Sequence, residues 1–177
     1  LEKLREAREK LQALIRKKKE QLDALVKPVL GETFDVGQHK KIKDYYEKLT
    51  GERPESTDKL FLMKREKYHN DPVARLIREL RRLEKWLATY VDRIEEKAKY
   101  DGRFYTQLNQ FGAVSGRFSS DAQQFPRDAI EEDGEVVYHP RQVFIPSGGG
   151  YNAIFYFDWS QVELRMLAEY TLAFGGD

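Results

Sequence analysis

The sequence contains no cysteine and only three histidines. The absence of cysteine excludes disulfides, cysteine-ligated zinc and thiol catalysis, and it fits a reducing compartment. Because the histidines are scattered along the chain, a cluster of histidine metal ligands is not expected either. The chemistry of this protein has to be sought in other side chains.

Long apolar runs and an excess of one charge are also missing. No apolar segment approaches the roughly 20 residues needed to cross a bilayer, and the chain begins with a charged helical pattern rather than a signal peptide. Lysine and arginine together number 31 against 30 acidic residues, so the net charge is +1. A DNA-binding surface would therefore have to come from local clustering of charge. We expect a cytoplasmic protein without a membrane partner.

The first predicted element is an amphipathic helix from residue 1 to about residue 26. Leucine and alanine recur there every three or four residues among many charged side chains. The apolar stripe is narrow and Lys18 interrupts it, which suits packing along another helix. Pro28 and Gly31 are expected to end the helix.

Two more helices follow from the same spacing. One is predicted over residues 36–49, and the Ser-Thr-Asp cluster at residues 56–58 would cap the segment after it. The other runs from Pro72 to about Lys99, about seven turns, and is expected to project like an arm.

The pattern changes after the turn signal Asp101-Gly102. The predicted elements are a strand over Phe104–Phe111, an irregular segment over 112–135, a strand over Val136–Ile145, a buried strand over Ala153–Phe157 and a helix over Ser160–Ala173. The fold class is therefore predicted as α+β, with long helices in the first hundred residues and the beginning of an antiparallel-sheet domain after them.

Residues 157–165, Phe-Asp-Trp-Ser-Gln-Val-Glu-Leu-Arg, are the most informative run. Asp158 ends a predicted strand and Glu163 follows on the first helical turn. Magnesium prefers oxygen ligands and commonly uses one or two carboxylates together with substrate phosphates, so Asp158 would supply half a site. A structural interpretation remains open, because Ser160 and Glu163 have the spacing of a capping box, which the spacing alone favours.

Four runs resemble motifs of family A DNA polymerases, the bacterial polymerase I type. Residues 158–165 are similar to the first polymerase motif, Asp-Tyr-Ser-Gln-Ile-Glu-Leu-Arg. Residues 115–126 resemble Thr-Gly-Arg-Leu-Ser-Ser followed by Leu-Gln-Asn-Ile-Pro, residues 139–144 resemble Ile-Arg-Gln-Ala-Phe, and residues 77–90 resemble the long thumb helix. The chain departs from the family at Phe118, where Leu is usual.

The resemblance implies a metal and nucleotide site. Asp158 would bind two Mg²⁺ ions, with the backbone carbonyl of Trp159 helping one of them, and the second carboxylate ligand would lie outside this chain. Two such ions can activate a primer 3′-oxygen and stabilise the leaving pyrophosphate. Glu163 would exclude a ribose 2′-hydroxyl. The nucleotide-binding residues would be Glu163, Ser160, Gln161 and Arg141.

The resemblance also implies a DNA-binding surface. Arg117 would probe the primer terminus through minor-groove acceptors that are present at every base pair. The expected DNA-binding residues are Arg117, Ser119, Asn109, Gln110, Gln123, Gln124, Arg81, Lys85 and Thr89. Taken alone, the Gly-Arg turn is more typical of an ordinary exposed turn than of a DNA contact, and the three helix residues fit a solvated face equally well.

The domain organisation implied is that of an incomplete polymerase right hand without fingers. Residues 1–35 would form a lead-in helix, 36–100 the thumb, and 101–177 the N-terminal part of the palm. The implied function is template-directed addition of deoxynucleotides to a primer 3′-end, with primer-template DNA, deoxynucleoside triphosphates and the remaining fingers and palm as partners. The chain alone is expected to be inactive.

Two alternatives stay open. Single-subunit phage RNA polymerases share the palm, but their first motif lacks the glutamate that stands here at Glu163. A non-catalytic helical DNA-binding or adaptor module would bind its partner without any dependence on Asp158.

Overall fold

The computed structural model describes residues 2–146, 150, 153–155 and 157–175. The chain divides into two units, Leu1–Phe144 and Ile145–Asp177. The helices of the first unit are α1 (Glu2–Leu30), α2 (His39–Thr50), α3 (Lys59–His69), α4 (Pro72–Trp86) and α5 (Arg93–Ala98), with a π-helical segment at Leu87–Asp92 between the last two. Its strands are β1 (Leu108–Asn109), β2 (Ser119–Ser120), β3 (Ile130–Glu132) and β4 (Glu135–Tyr138). The second unit contains α6 (Val162–Ala173). Helices and small antiparallel sheets together make the fold α+β, as predicted.

Helix α1 buries one apolar stripe against α4, α2 and β4. Its buried residues recur every three or four positions: Leu4, Ala7, Leu11, Leu14, Ile15, Lys18, Leu22 and Val26. Burying a leucine completely contributes about 2 kcal/mol, and Leu11 is fully buried. Of the two residues expected to end the helix, Gly31 does so, with φ of 85° directly after Leu30, whereas Pro28 lies inside the helix. Proline removes one donor, but Gly31 N still donates to Lys27 O at 2.9 Å, so the last turn closes beyond it.

Helical structure is continuous from Pro72 to Ala98, in agreement with the predicted long helix. The expectation that it projects like an arm is wrong, because α4 packs on both α1 and α3. Its apolar stripe is wide enough to form the centre of the helical core and consists of Val73, Ala74, Leu76, Ile77, Leu80, Leu83 and Trp86. The Trp86 ring also lies 6.2 Å from the ring of Tyr138 on β4.

Side-chain caps and a left-handed glycine set the ends of the shorter helices. The predicted cap is confirmed, since the Asp58 side chain accepts a hydrogen bond from Phe61 N at 2.8 Å at the start of α3. Asp71 caps α4 in the same way by accepting from Val73 N at 3.0 Å. Helix α2 ends at Gly51, whose φ of 81° is the left-handed conformation that glycine adopts without strain.

The strands are shorter than predicted. Strand β1 pairs antiparallel with β2, and β3 pairs antiparallel with β4. The predicted strand Phe104–Phe111 is reduced to Leu108–Asn109, because Phe104 packs into an aromatic cluster instead of a ladder. The predicted strand Val136–Ile145 ends at Tyr138, because Pro140 has no N–H to donate and begins a 3₁₀ turn over Pro140–Val143.

In the second unit, the predicted buried strand Ala153–Phe157 is contradicted for the residues that the structure describes. Residues 153–155 and Phe157 are exposed and belong to no strand. An apolar run becomes a buried strand only when other strands, distant in sequence, pair with it and cover it. The helix after it begins at Val162 rather than at Ser160. No helix in the described part of the chain is long and apolar enough to span a membrane.

Candidate nucleic-acid interface and catalytic carboxylate

Two predicted DNA-binding residues face each other across the β1–β2 pair, where Asn109 is opposite Ser119. Gly112 lies against this pair, since a Cβ at that position would clash with Ser119 Oγ. Gly116, with φ of 73°, then forms the turn that precedes the exposed Arg117. The glycines in this segment therefore permit a close turn that presents Arg117 at the surface.

The turn from Arg117 to Gln124, here called the Arg117 turn, is held together by Gln123. The Gln123 side chain accepts a hydrogen bond from Ser120 N at 3.3 Å and donates one to Phe118 O at 3.4 Å. Gln124 belongs to the adjoining 3₁₀ turn, and it lines a small cleft together with Thr89 of the π-helical segment. The fold thus brings Gln124 and Thr89, predicted separately from two motifs, into one place.

Asp121, in the Arg117 turn, was missed by the reasoning from sequence. Its carboxylate accepts hydrogen bonds from Lys97 Nζ and, at 2.7 Å, from Thr106 Oγ1, while Arg93 Nη2 lies 3.8 Å away. The hydrogen bond from Lys97, and then that from Thr106, lower the pKa of Asp121 to about 2. A signal was available, because Arg93 and Lys97 are four residues apart and so share one face of a helix.

Aromatic side chains form the floor beneath the Arg117 turn. The ring of Phe125 lies 5.5 Å from Phe104, 5.4 Å from Phe144 and 6.0 Å from Tyr90. Arg141, a predicted nucleotide contact, donates from Nη2 to Phe125 O at 3.3 Å, so its guanidinium is attached to the same floor.

Arg81, Lys85 and Thr89 do not form a single exposed row. Arg81 is partly buried and donates to Val36 O at 2.9 Å and to Thr57 O at 2.7 Å. Burial lowers the pKa of its guanidinium. Lys85 is exposed, whereas Thr89 lies in the π-helical segment, where a wider turn breaks the spacing of four. Arg81 therefore serves to join α4 to the chain before α2 and α3.

Asp158 is exposed in a segment without regular secondary structure just before α6, and the neighbouring Trp159 is 77% exposed. Glu163 lies in the first turn of α6, where a negative charge interacts favourably with the helix dipole. The capping-box alternative is not realised. The N-cap position is Gln161, with φ of 53° and no capping bond from its side chain, so Ser160 precedes the cap.

The donor atoms at this segment suit a hard cation. The Asp158 carboxylate and the Trp159 carbonyl both offer oxygen, and magnesium commonly takes one or two protein carboxylates while it keeps several waters. No group of three histidine, cysteine or acidic residues that could hold a metal occurs among the described residues. This segment could therefore contribute ligands to a shared magnesium site rather than enclose an ion by itself.

Comparison with known proteins identifies the class. The family model described as DNA polymerase family A matches residues 2–173, so the chain belongs to that family. The match confirms the resemblance inferred from the motifs.

Individual relatives come from bacteria and from a phage. DNA polymerase I of Helicobacter pylori (strain ATCC 700392 / 26695) is 28% identical over 153 residues, which cover 85% of this chain and 17% of the relative. DNA polymerase I of Aquifex aeolicus (strain VF5) is 34% identical over 106 residues, or 58% of this chain and 16% of the relative. The DNA polymerase of Escherichia phage T5 is 36% identical over 97 residues, or 52% of this chain and 11% of the relative. The chain thus spans less than a fifth of the length of these relatives.

Proposed function

We propose that this chain forms the thumb and the first part of the palm of a DNA-directed DNA polymerase. Residues 1–35 are the lead-in helix, 36–100 the thumb and 101–177 the N-terminal part of the palm. The observation that carries the proposal is the family match over residues 2–173, which includes the exposed carboxylate of Asp158 just before α6. The substrates are primer-template DNA and deoxynucleoside triphosphates.

In this proposal Asp158 and the carbonyl of Trp159 hold magnesium, and a second carboxylate comes from outside this chain. When bound, magnesium supplies Lewis-acid stabilisation of charge on the reacting oxygens. Asp158 fixes the position of the metal at the primer end. Glu163 excludes a ribose 2′-hydroxyl, while Ser160, Gln161 and Arg141 contact the incoming nucleotide.

The DNA duplex lies on the Arg117 turn in this proposal. Arg117 donates to minor-groove acceptors, and the amide and hydroxyl groups nearby contact the duplex backbone and base edges. The other residues of this surface are Asn109, Gln110, Ser119, Gln123, Gln124, Lys85 and Thr89. Arg81 is left out, because a phosphate contact would require its hydrogen bonds to Val36 O and Thr57 O to break.

The test is extension of a labelled primer with magnesium and deoxynucleotides. The chain is mixed with a second polypeptide that supplies the fingers and distal palm of a relative, and assembly is first verified by size-exclusion chromatography. We expect extension that needs both polypeptides and that Asp158→Asn abolishes. Glu169→Gln, which changes another exposed acid on α6, is the matched control and should leave extension intact.

A second candidate is a non-catalytic helical DNA-binding or adaptor module, which the long helices with their exposed basic and acidic side chains favour. It predicts duplex binding that does not change in Asp158→Asn and no extension in an assembled mixture. That pair of results would reject the polymerase proposal.

A further inference from the structure

The Arg117 turn is attached to the long helix by one partly buried carboxylate, that of Asp121. The Asp121 side chain is 13% exposed, and its two oxygens are used separately. Oδ1 accepts from Thr106 Oγ1, and Oδ2 accepts from Lys97 Nζ with Arg93 also nearby. Asp121 therefore connects three segments: the turn, helix α5 and the loop that leads to β1.

Every neighbour of Asp121 in sequence belongs to the turn. Ser119 and Ser120 form β2 on one side, and Ala122–Gln124 form the 3₁₀ turn on the other. Phe125 then packs its ring on Tyr90 and Phe104. The turn thus has a charged attachment at Asp121 and an apolar one at Phe125, with Gln123 and Gln124 between them.

The charge of Asp121 is compatible with a DNA-binding surface. A bare carboxylate next to a phosphate backbone would repel it. Here Lys97 and Arg93 compensate the charge, so the cluster of three side chains has a net charge of +1. The repulsion between the Asp121 carboxylate and a DNA phosphate is therefore offset, while Asp121 still accepts hydrogen bonds from Lys97 and Thr106.

We propose that Asp121 is a positioning residue for duplex binding: it holds the Arg117 turn against the long helix, so that Arg117, Gln124 and Thr89 are presented in one fixed arrangement. This inference rests on the proposed function. Asparagine at position 121 would keep an acceptor for Thr106 but lose the charge-assisted hydrogen bond from Lys97. The turn would then remain folded but be less fixed in position.

The experiment measures the affinity of the chain for a fluorescein-labelled primer-template duplex by anisotropy, after thermal melting has shown that each variant is folded. We expect Asp121→Asn and Lys97→Met each to weaken binding about tenfold, the size expected for one charge-assisted hydrogen bond. The double variant should bind no more weakly than the weaker single variant, since both changes break the same link. Asp101→Asn, at an exposed aspartate that accepts from Tyr105 Oη, is the control and should bind like the unmodified chain.

A positioning role also predicts that the effect of Asp121→Asn depends on the side chains that Asp121 positions. In a background that combines Arg117→Ala, Gln124→Ala and Thr89→Ala, Asp121→Asn should weaken binding less than about twofold, because the side chains that it positions are gone. Losses that multiply instead would overturn the proposal. So would a folded Asp121→Asn chain with unchanged affinity, or, if that variant does not fold, a folded Lys97→Met chain with unchanged affinity.

The attachment of the turn through Asp121 can be tested even if the chain does not bind a duplex. If the unmodified chain binds no duplex, DNA binding itself fails, and the side-chain amide resonances of Gln123 and Gln124 decide the structural claim. Shifted or broadened amide signals in Asp121→Asn would support the attachment, and unchanged signals would overturn it.

Discussion

Lys18 Nζ lies 2.9 Å from Glu79 Oε2, which links the middle of α1 to α4 through a lysine that is only 9% exposed. The same ammonium lies 3.1 Å from Glu132 Oε1 on β3. Burial opposes protonation of Lys18, but the hydrogen bonds that its ammonium donates to Glu79 and Glu132 outweigh this effect and raise the pKa of Lys18. The lysine that interrupts the apolar stripe of α1 is therefore the point where two helices and a strand meet.

Replacing Lys18 tests whether its aliphatic stem or its charge contributes more to the free energy of unfolding. We expect Lys18→Ala to lower the free energy of unfolding by about 1–3 kcal/mol, because it removes both the buried stem and the partner of two acids. Lys18→Met keeps the buried stem and should cost less than Lys18→Ala, since it loses only the ion pairs with Glu79 and Glu132, whose side chains remain 39% and 26% exposed to water. Urea denaturation measures both. Lys17→Ala, at an exposed neighbour, is the control, and equal losses for Lys17→Ala and Lys18→Ala would refute the assignment.

Arg81→Lys should destabilise the chain without weakening duplex binding by the folded protein. A lysine has one ammonium and cannot reproduce the two guanidinium contacts to Val36 O and Thr57 O. We expect a loss of about 1.5–3 kcal/mol in urea denaturation. Duplex affinity is then compared at a temperature where both proteins are folded. If Arg81→Lys left the free energy of unfolding unchanged but greatly weakened duplex binding, Arg81 would be a DNA contact after all.

Lys85→Ala should weaken duplex binding equally for all sequences, because a phosphate contact carries no sequence information. The slope of log affinity against log salt should become shallower by about 1, the contribution of one neutralised phosphate. Anisotropy titrations over a range of salt concentrations measure it. Arg16→Ala removes another exposed cation, on α1, and its slope should match that of the unmodified chain; a matching slope for Lys85→Ala would exclude the contact.

The low pKa of Asp121 predicts a pH dependence with a definite sign. Its pKa falls from an ordinary 3.8 to about 2 on folding, so the charged form stabilises the native state. That stability is fully present above about pH 4 and is lost as the pH falls towards about 2. The difference in free energy of unfolding between the unmodified chain and Asp121→Asn should shrink over this interval. A carboxyl titration followed by NMR that gives a midpoint near 3.8 would contradict the link to Lys97.

The helices could be predicted because their information is local. Apolar spacing of three or four residues located α1, α2 and the long helix, and Asp58 marked the start of α3. The Arg-containing turn after Gly116 was also visible, since a glycine before an exposed arginine is a local signal. The family motifs then supplied the expected roles of the site residues, which apolar spacing alone does not predict.

What could not be predicted depends on contacts between distant segments. The apolar pattern at residues 153–155 and 157 predicts a buried strand. Burial, however, requires partner strands that the run itself does not specify. Arg81 stands among other cations and looks like a surface residue, but the carbonyls that it binds belong to residues 24 and 45 positions earlier. Lys97 and Asp121 are likewise 24 residues apart in sequence.

The π-helical segment at Leu87–Asp92 changes the direction in which the side chains after it point from the long helix. A π turn holds one more residue than an α turn, and each residue advances an α-helix by about 100°. If the same residues were wound as regular α turns, everything after the segment would rotate by about 100° from its present position. Ile94 and Ala98, which are buried, and Lys97, which donates to Asp121, would then face another direction. The wider turn of this segment is thus what brings the end of the long helix into phase with the Arg117 turn.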